Sequence, residues 1–342
     1  MSRFVGLLIL VVAFPSLAQT PDSTRIKYVE SFQEYFFLWP LLKQRTTTFE
    51  VRRIDNRGQA LTFRPNNAFT GGLGLYLFEL GVEVTFALPV DQKKTALYGT
   101  SQAFDLQVNM LTKHWGADIF YQKYGGFYLT DPNNPVPANV PLPQRPDMVT
   151  ENFGLNGIYF FNKKKFSFRS AYNFAERQRK SAGSFLLAGT LNSFHLQNDS
   201  TLYGKGYQPI FGVDSDIKEY RSTSFSVAPG YSYTLVFGNL FLNSSFSVGP
   251  ALHFVEYLAQ GVPNQVQKVN TFSDIRVALG YNGARFFSGV TFVSQSRNVK
   301  FNEVQFTSSS STFRMLVGYR FREWGILKKR AVDLLPHGGN KK

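Results

Sequence analysis

Apolar and polar residues alternate with a period of two in run after run of this chain, and no other property constrains its fold as much. Val82, Val84, Phe86 and Leu88 alternate with Glu83, Thr85 and Ala87. Near the C-terminal end Phe313, Met315, Val317, Tyr319 and Phe321 alternate with Arg314, Leu316, Gly318 and Arg320. Successive side chains of a strand point to opposite faces, so each run predicts a strand with one apolar and one polar side. A soluble sandwich alternates too, but its runs are usually shorter. Here the runs are long, numerous, rich in aromatics and preceded by an export signal. The fold class that follows is all-β: an up-and-down antiparallel transmembrane β-barrel, lipid outside and lumen inside.

The export signal is read over residues 1–18. Arg3 supplies the positive end, Val5 to Phe14 is an unbroken apolar core, and Ser16-Leu17-Ala18 offers the small residues that a signal peptidase needs, so cleavage is expected near Ala18. Beyond it no stretch of about twenty apolar residues is present, so no transmembrane helix is expected. The absence of cysteine excludes disulfides, zinc–thiolate sites and cysteine nucleophiles. The 35 Phe and 17 Tyr exceed what a soluble domain usually carries and suit a lipid-facing band with interfacial girdles. The net charge of +14 suggests anionic partners. Export and the scatter of the basic residues argue against nucleic acid. Outer-membrane lipid, lipopolysaccharide phosphates and the barrel insertion machinery are the expected partners, and the bacterial outer membrane the expected location.

Residues 19–45 form the expected N-terminal periplasmic or plug segment, in which residues 35–42 are apolar without alternation. The barrel is expected over 46–321 and a basic periplasmic tail over 322–342. A hairpin is predicted from 46–54 and 59–64 around Asn56-Arg57-Gly58. Further strands are predicted at 69–77, 81–88, 103–111, 115–128, 152–161, 165–175, 224–237, 240–254, 273–281, 285–293 and 312–321. Residues 131–147, rich in Pro and Asn, read as a long external loop. Other long connections fall at 89–101, 181–222, 256–270 and 297–311, alternating with tight turns as up-and-down topology requires. The count is about 12 strands, in a range of 10–14, because 46–54 and 181–197 can each be read as a strand or not.

The segments TFRPNN (62–67), FNKKKFSFRSAYNFAERQRKSAGSFLLAG (161–189), VALGYNG (277–283) and VGYRF (317–321) resemble a Bacteroidota family known as domain of unknown function number 4421. The resemblance runs from about residue 25 to residue 322. It implies an outer-membrane β-barrel of a Bacteroidota bacterium and brings no catalytic or binding residues with it. The chain departs from many barrels in continuing past the aromatic of its last strand, Phe321.

Candidate lumen-facing residues on the polar beat are Arg64, Glu83, Asp105, Asp118, Arg169, His253, Asp274, Arg276, Arg314 and Arg320. Such residues either line a weakly anion-selective pore or pair across a narrow lumen and close it. His253, with Ser245 and Ser247 on the same beat, is the one constellation that hints at a hydrolase, but no Gly-x-Ser-x-Gly occurs, and a lone strand histidine more often completes a lumen hydrogen-bond network. The four histidines are scattered without metal-ligand spacing, and no phosphate-binding loop is present, so no cofactor is expected. The sequence therefore reads as a non-enzymatic, structural or accessory outer-membrane barrel with a closed or narrow lumen. A narrow channel for small or fatty solutes is the alternative, and an interfacial lipid hydrolase a distant one.

Overall fold

A computed structural model describes residues 23–54, 59–77, 80–202, 207–211, 217–259, 261–301 and 303–324. In chain order the elements are α1 (Ser23–Tyr28), β1 (Val29–Ser31), β2 (Tyr35–Arg53), β3 (Ala60–Arg64), β4 (Thr70–Leu77), β5 (Leu80–Ala87), α2 (Gln92–Tyr98), β6 (Gln102–Leu111), β7 (Trp115–Thr130) and β8 (Gln144–Phe160). They continue with α3 (Arg169–Tyr172), β9 (Glu176–Gln178), β10 (Ala182–Gln197), α4 (Gln208–Phe211), β11 (Ile217–Phe237), β12 (Leu240–Ala259), β13 (Val262–Asn282), β14 (Phe286–Phe301) and β15 (Val304–Arg322). The export signal, the turn at Asn56-Arg57-Gly58 and the tail from residue 325 lie outside the described residues.

Strand pairing closes a barrel. Each strand from β10 to β14 pairs antiparallel with the next, β10 also pairs β8, β8 pairs β7, and β15 returns to β2 from Arg322↔Tyr35 to Val304↔Arg53. With β3 bridging β2 and β7, the ring has ten strands, and β4, β5 and β6 complete a thirteen-stranded sheet. Closure leaves no free ladder edge around most of the circumference.

The period-two beat becomes an inverted burial pattern. On β11 and β12, Phe225, Val227, Phe237, Leu240 and Phe246 are about half exposed on the outside, while Ser224, Ser226, Ser232, Thr234, Asn243 and Ser245 are buried inside. A soluble fold buries its apolar face against another layer. Here that face is turned outward all round, which is the arrangement that hydrocarbon solvent selects.

Several expectations are corrected. The barrel wall begins at Tyr35, not near residue 46, because residues 35–42 are the first half of β2. They lose their alternation because both faces are apolar: Leu38 faces outward, and Phe37, Trp39 and Leu41 pack inward. Residues 181–197 are the barrel strand β10. Residues 165–175 are not a strand. Ser167, Phe168, Arg169, Ala171, Tyr172 and Phe174 are all buried in a compact insert between β8 and β10. The expected loops 256–270 and 297–311 are mostly strand, since β12 to β15 run 16–21 residues and meet at tight turns. A membrane strand needs about 9–11 residues, so these strands project well beyond a bilayer.

The insert 161–181 folds back into the lumen at the end where β2 begins and β15 finishes, and makes a plug. Its β9 pairs with β1 of the N-terminal segment. Asn282 donates to the carbonyls of Ser170 and Glu176 at 2.9 and 3.0 Å, and Tyr172 donates to Asn243 Oδ1 at 3.0 Å. Phe174 has φ of 58° and stacks on Phe287 at 4.8 Å. Beneath it β14 carries Gly289, where a Cβ would lie 2.8 Å from the Phe174 ring.

Candidate functional site

Along the barrel axis the interior falls into three layers. The layer at the plug end is aromatic: Phe32, Phe37, Trp39, Phe160, Phe166, Phe168, Phe174, Phe241 and Phe287 form one buried cluster. At the opposite end a second cluster gathers Phe49, Phe63, Phe194, Tyr220, Phe301 and Phe306, capped by Leu202 and Phe211 from the loop before β11. Tyr220 lies parallel on Phe306 at 4.8 Å, and Phe301 on Phe306 at 5.0 Å. Each layer brings apolar side chains of well-separated segments into ring contact inside the barrel, Phe49 with Phe194 at 5.9 Å in one and Phe174 with Phe287 at 4.8 Å in the other.

Between these two layers the lining is polar and internally bonded. Arg276 holds Asp274 in a bidentate pair at 2.9 Å and reaches Asp118 at 3.4 Å, while Gln295 donates to Asp274 at 2.8 Å. Asn192 donates to Asn152, which donates to Gln122, at 2.7 and 3.0 Å. Nearer the plug Glu83 accepts from Arg314 at 2.8 Å and from Trp39 Nε1 at 3.2 Å, with Lys43 Nζ at 3.5 Å. Arg45 pairs with Asp105. Opposite charges thus meet across the lumen, and buried carboxylates without such partners would be strongly disfavoured.

Of the ten residues predicted to face the lumen, Glu83, Asp105, Asp118, His253, Asp274, Arg276, Arg314 and Arg320 do so. Arg64 does not. The inward positions of β3 are Leu61 and Phe63, which feed the upper aromatic layer, and Arg64 is exposed. Arg169 is interior but belongs to the plug, where it donates to Tyr76 Oη at 2.7 Å. Arg320 does not line a pore. It donates to the carbonyls of Gly283 and Phe174 and to Asn282 Oδ1, each at 2.7 Å, with Phe32 3.8 Å from its guanidinium. His253 is buried and 3.4 Å from Ser222 Oγ, between the two aromatic layers and away from either mouth. Lys43 and Arg45 escaped sequence reasoning because they lie where β2 had not been recognised as a strand.

One stretch of wall is incomplete. The chain descends from β3 to β4 as a broken strand, and the break is Pro65-Asn66-Asn67. Proline cannot donate to a ladder. The asparagines replace the missing bonds: Asn66 N–H donates to Ser101 Oγ at 2.7 Å, Asn66 Nδ2 to the Gly99 carbonyl at 2.8 Å, and Asn67 Nδ2 to the Arg45 carbonyl at 2.8 Å. Above the break β3 bridges β2 and β7. Below it β4 stays on β2, and β5, α2 and β6 are inserted before β7. Strand β7 changes partner from β6 to β3 at a bulge at Gly126, whose φ is 80° and where a Cβ would strike the Thr100 carbonyl oxygen at 2.3 Å.

No ladder joins β5 to β6 among the described residues. The seam between them opens sideways into a cavity of about 860 Å³. Its outer rim is apolar, with Val82 and Leu88 on one side and Phe104, Leu106, Val108 and Met110 on the other, all exposed. Its wall carries the ion pairs already described, together with Gln107, Asn109, Tyr172 and Thr291. No group of three or more metal-ligating side chains occurs among the described residues.

Solved structures similar to this chain are bacterial barrels. The outer membrane protease OmpT from Escherichia coli aligns at 10% identity, covering 85% of this chain and 98% of its own, with a TM-score of 0.40. The translocator domain of the autotransporter NalP from Neisseria meningitidis aligns at 8%, covering 84% and 88%, with a TM-score of 0.33. Ail, the attachment invasion locus protein of Yersinia pestis, aligns at 9%, covering 84% and 99%, with a TM-score of 0.20. At such distances the fold rests on the strand pairing above. No curated protein matches the sequence. A family profile matches residues 20–321, nearly the whole described barrel, and the chain belongs to that family, Domain of unknown function (DUF4421).

Proposed function

We propose that this chain is an integral outer-membrane protein of a Bacteroidota bacterium, exported by cleavage near Ala18, closed to flow along its axis and structural or accessory rather than enzymatic in role. The observation that carries this reading is the pair of aromatic seals in series, one built around the plug and one around Tyr220 and Phe306. The outward apolar band supports insertion in a bilayer, and we read the end where β2 begins and β15 finishes as the periplasmic side. Arg177 pairs with Glu30 at 2.5 Å, and Lys180 lies over the Tyr28 ring at 5.7 Å, so part of the basic 177–180 cluster holds the N-terminal segment to the plug.

Reconstitution in a planar bilayer tests the closed axis. A silent membrane is expected, and steady unitary current steps would overturn the reading. Incubation with phospholipid and lipid A tests the non-enzymatic part, with both expected unchanged by mass spectrometry. A second reading, a conduit for small or fatty solutes, is favoured by one observation: the cavity behind the β5–β6 seam opens sideways through the wall between the seals.

A further inference from the structure

We infer that the β5–β6 seam is a binding site for a membrane amphiphile with an anionic head and a hydrocarbon tail, taken directly from the surrounding leaflet. The inference rests on the reading of the chain as a membrane barrel.

Facing edges of β5 and β6 carry backbone N–H and C=O groups with no ladder partner. Hydrocarbon cannot satisfy such groups, and irregular backbone at membrane depth is tolerated only where it lines a polar cavity. The seam has that cavity behind it and an apolar rim in front. A molecule entering between Leu88 and Leu106 therefore passes from grease to charge within the thickness of one strand wall. Only an amphiphile is matched at both ends of that path.

The charge of the wall selects the head. Lys43, Arg45, Arg276 and Arg314 line the cavity against Glu83, Asp105 and Asp118. At the end away from the plug Arg276 is matched by both Asp118 and Asp274, while nearer the plug Lys43 and Arg314 share the single carboxylate of Glu83, a local excess of one cation. A carboxylate or phosphate placed there completes the pairing with charge-assisted hydrogen bonds. The inner beat of β6 is open to receive the rest of the head, since Asn109 is exposed within the cavity. The upper limit of the opening is fixed by Arg45–Asp105 and by Asn66 bonded to Ser101 and Gly99. A volume of about 860 Å³ lies within the range of small-molecule sites and takes a head with the first part of a chain, leaving the tail in the bilayer.

The test uses the full mature chain in a nonionic detergent, with binding followed by native mass spectrometry and calorimetry. The probes are palmitate, palmitoyl lysophosphatidic acid, neutral monopalmitin and inorganic phosphate. Expected is one molecule of palmitate or lysophosphatidic acid per chain, at least tenfold tighter than monopalmitin, and no binding of phosphate alone. Tighter binding of lysophosphatidic acid assigns a phosphate head, and tighter binding of palmitate a carboxylate head. Lys43→Gln with Arg314→Gln should weaken both at least tenfold. Because that pair also strips the partners of Glu83, a second variant, Asn109→Trp, fills the cavity and leaves every ion pair in place. It should abolish binding while the folded, heat-modifiable gel band persists. Equal affinity for monopalmitin, binding of phosphate alone, or undiminished binding to the folded Asn109→Trp protein would each overturn the inference. A silent planar bilayer alongside any of these failures leaves the closed-axis reading standing.

Discussion

The Arg320 guanidinium donates to the Phe174 carbonyl oxygen at 2.7 Å, tying the last barrel strand to the one plug residue that adopts a left-handed backbone. Phe174 is held from both sides. Its carbonyl is bonded by β15, and its ring is stacked on Phe287 of β14 over Gly289. A non-glycine residue at φ of 58° costs of order 1–3 kcal/mol and persists only where its surroundings over-determine it.

Replacing Arg320 by Ala removes three charge-assisted bonds and the stacking on Phe32. We expect a loss of about 3 kcal/mol or more in plug stability, read as faster amide exchange across residues 166–178 with the barrel strands still protected. Lys at 320 should recover only part, because an ammonium cannot reproduce the planar fork that serves Gly283, Phe174 and Asn282 together.

Gly289→Ala places a methyl against the Phe174 ring, and the expected penalty is about 1–3 kcal/mol. Phe174→Ala alone opens a cavity and should cost roughly 3–5 kcal/mol. In the double variant the alanine at 289 no longer meets a ring, so the two penalties should not add. Urea unfolding of all three variants in detergent measures the coupling, and simple additivity would show that the two sites are independent.

Plug stability should fall in acid. Burial pushes the Glu176 carboxyl upward, but Arg169, Arg25 and the Ser167 hydroxyl outweigh it and hold the group below its ordinary value of 4.5. A carboxylate whose folded value is depressed contributes its full stabilisation above the unfolded value and loses it as pH falls through the folded one. Amide protection at 166–178, measured relative to the intrinsic exchange rate at each pH, should therefore fall as pH drops below 4.5. In Glu176→Gln that segment should exchange faster at neutral pH and lose this acid dependence.

Seals in series make conduction an all-or-none matter. Replacing 164–180 by a flexible linker should leave the bilayer silent, because the Phe49, Tyr220 and Phe306 layer remains. Truncating those three to Ala in the linker variant should then give current steps. Current from the linker variant alone would show that the upper layer does not hold.

The outer face of the barrel was legible because lipid writes a simple code: Phe225, Val227, Leu240 and Phe246 had nowhere to go but outward. The interior was less legible because its partners lie far apart in the chain. Residues 35–42 and 181–197 lost their beat where the inner face is as apolar as the outer, with Phe37 and Trp39 against the plug and Phe194 and Leu196 in the upper seal. Residues 165–175 kept the beat without being a strand, because a plug enclosed on all sides buries both of its faces. The ion pairs were half visible. Asp274 and Arg276 sit two apart on one strand, whereas Glu83–Arg314 and Arg45–Asp105 join segments that only the closed sheet brings together. Two of the segments behind the family resemblance, 62–67 and 161–189, hold the break at Pro65-Asn66-Asn67 and the plug, the two irregularities that distinguish this barrel from a plain cylinder.

The unlaced wall between β5 and β6 also changes what the tube can do mechanically. A fully bonded cylinder has a circumference fixed by its strand number, and widening it means tearing a ladder. This one is built like a split cuff: hooped by ten strands at the rim and slit lower down. The slit margin can spring outward or draw in while every existing rung stays intact.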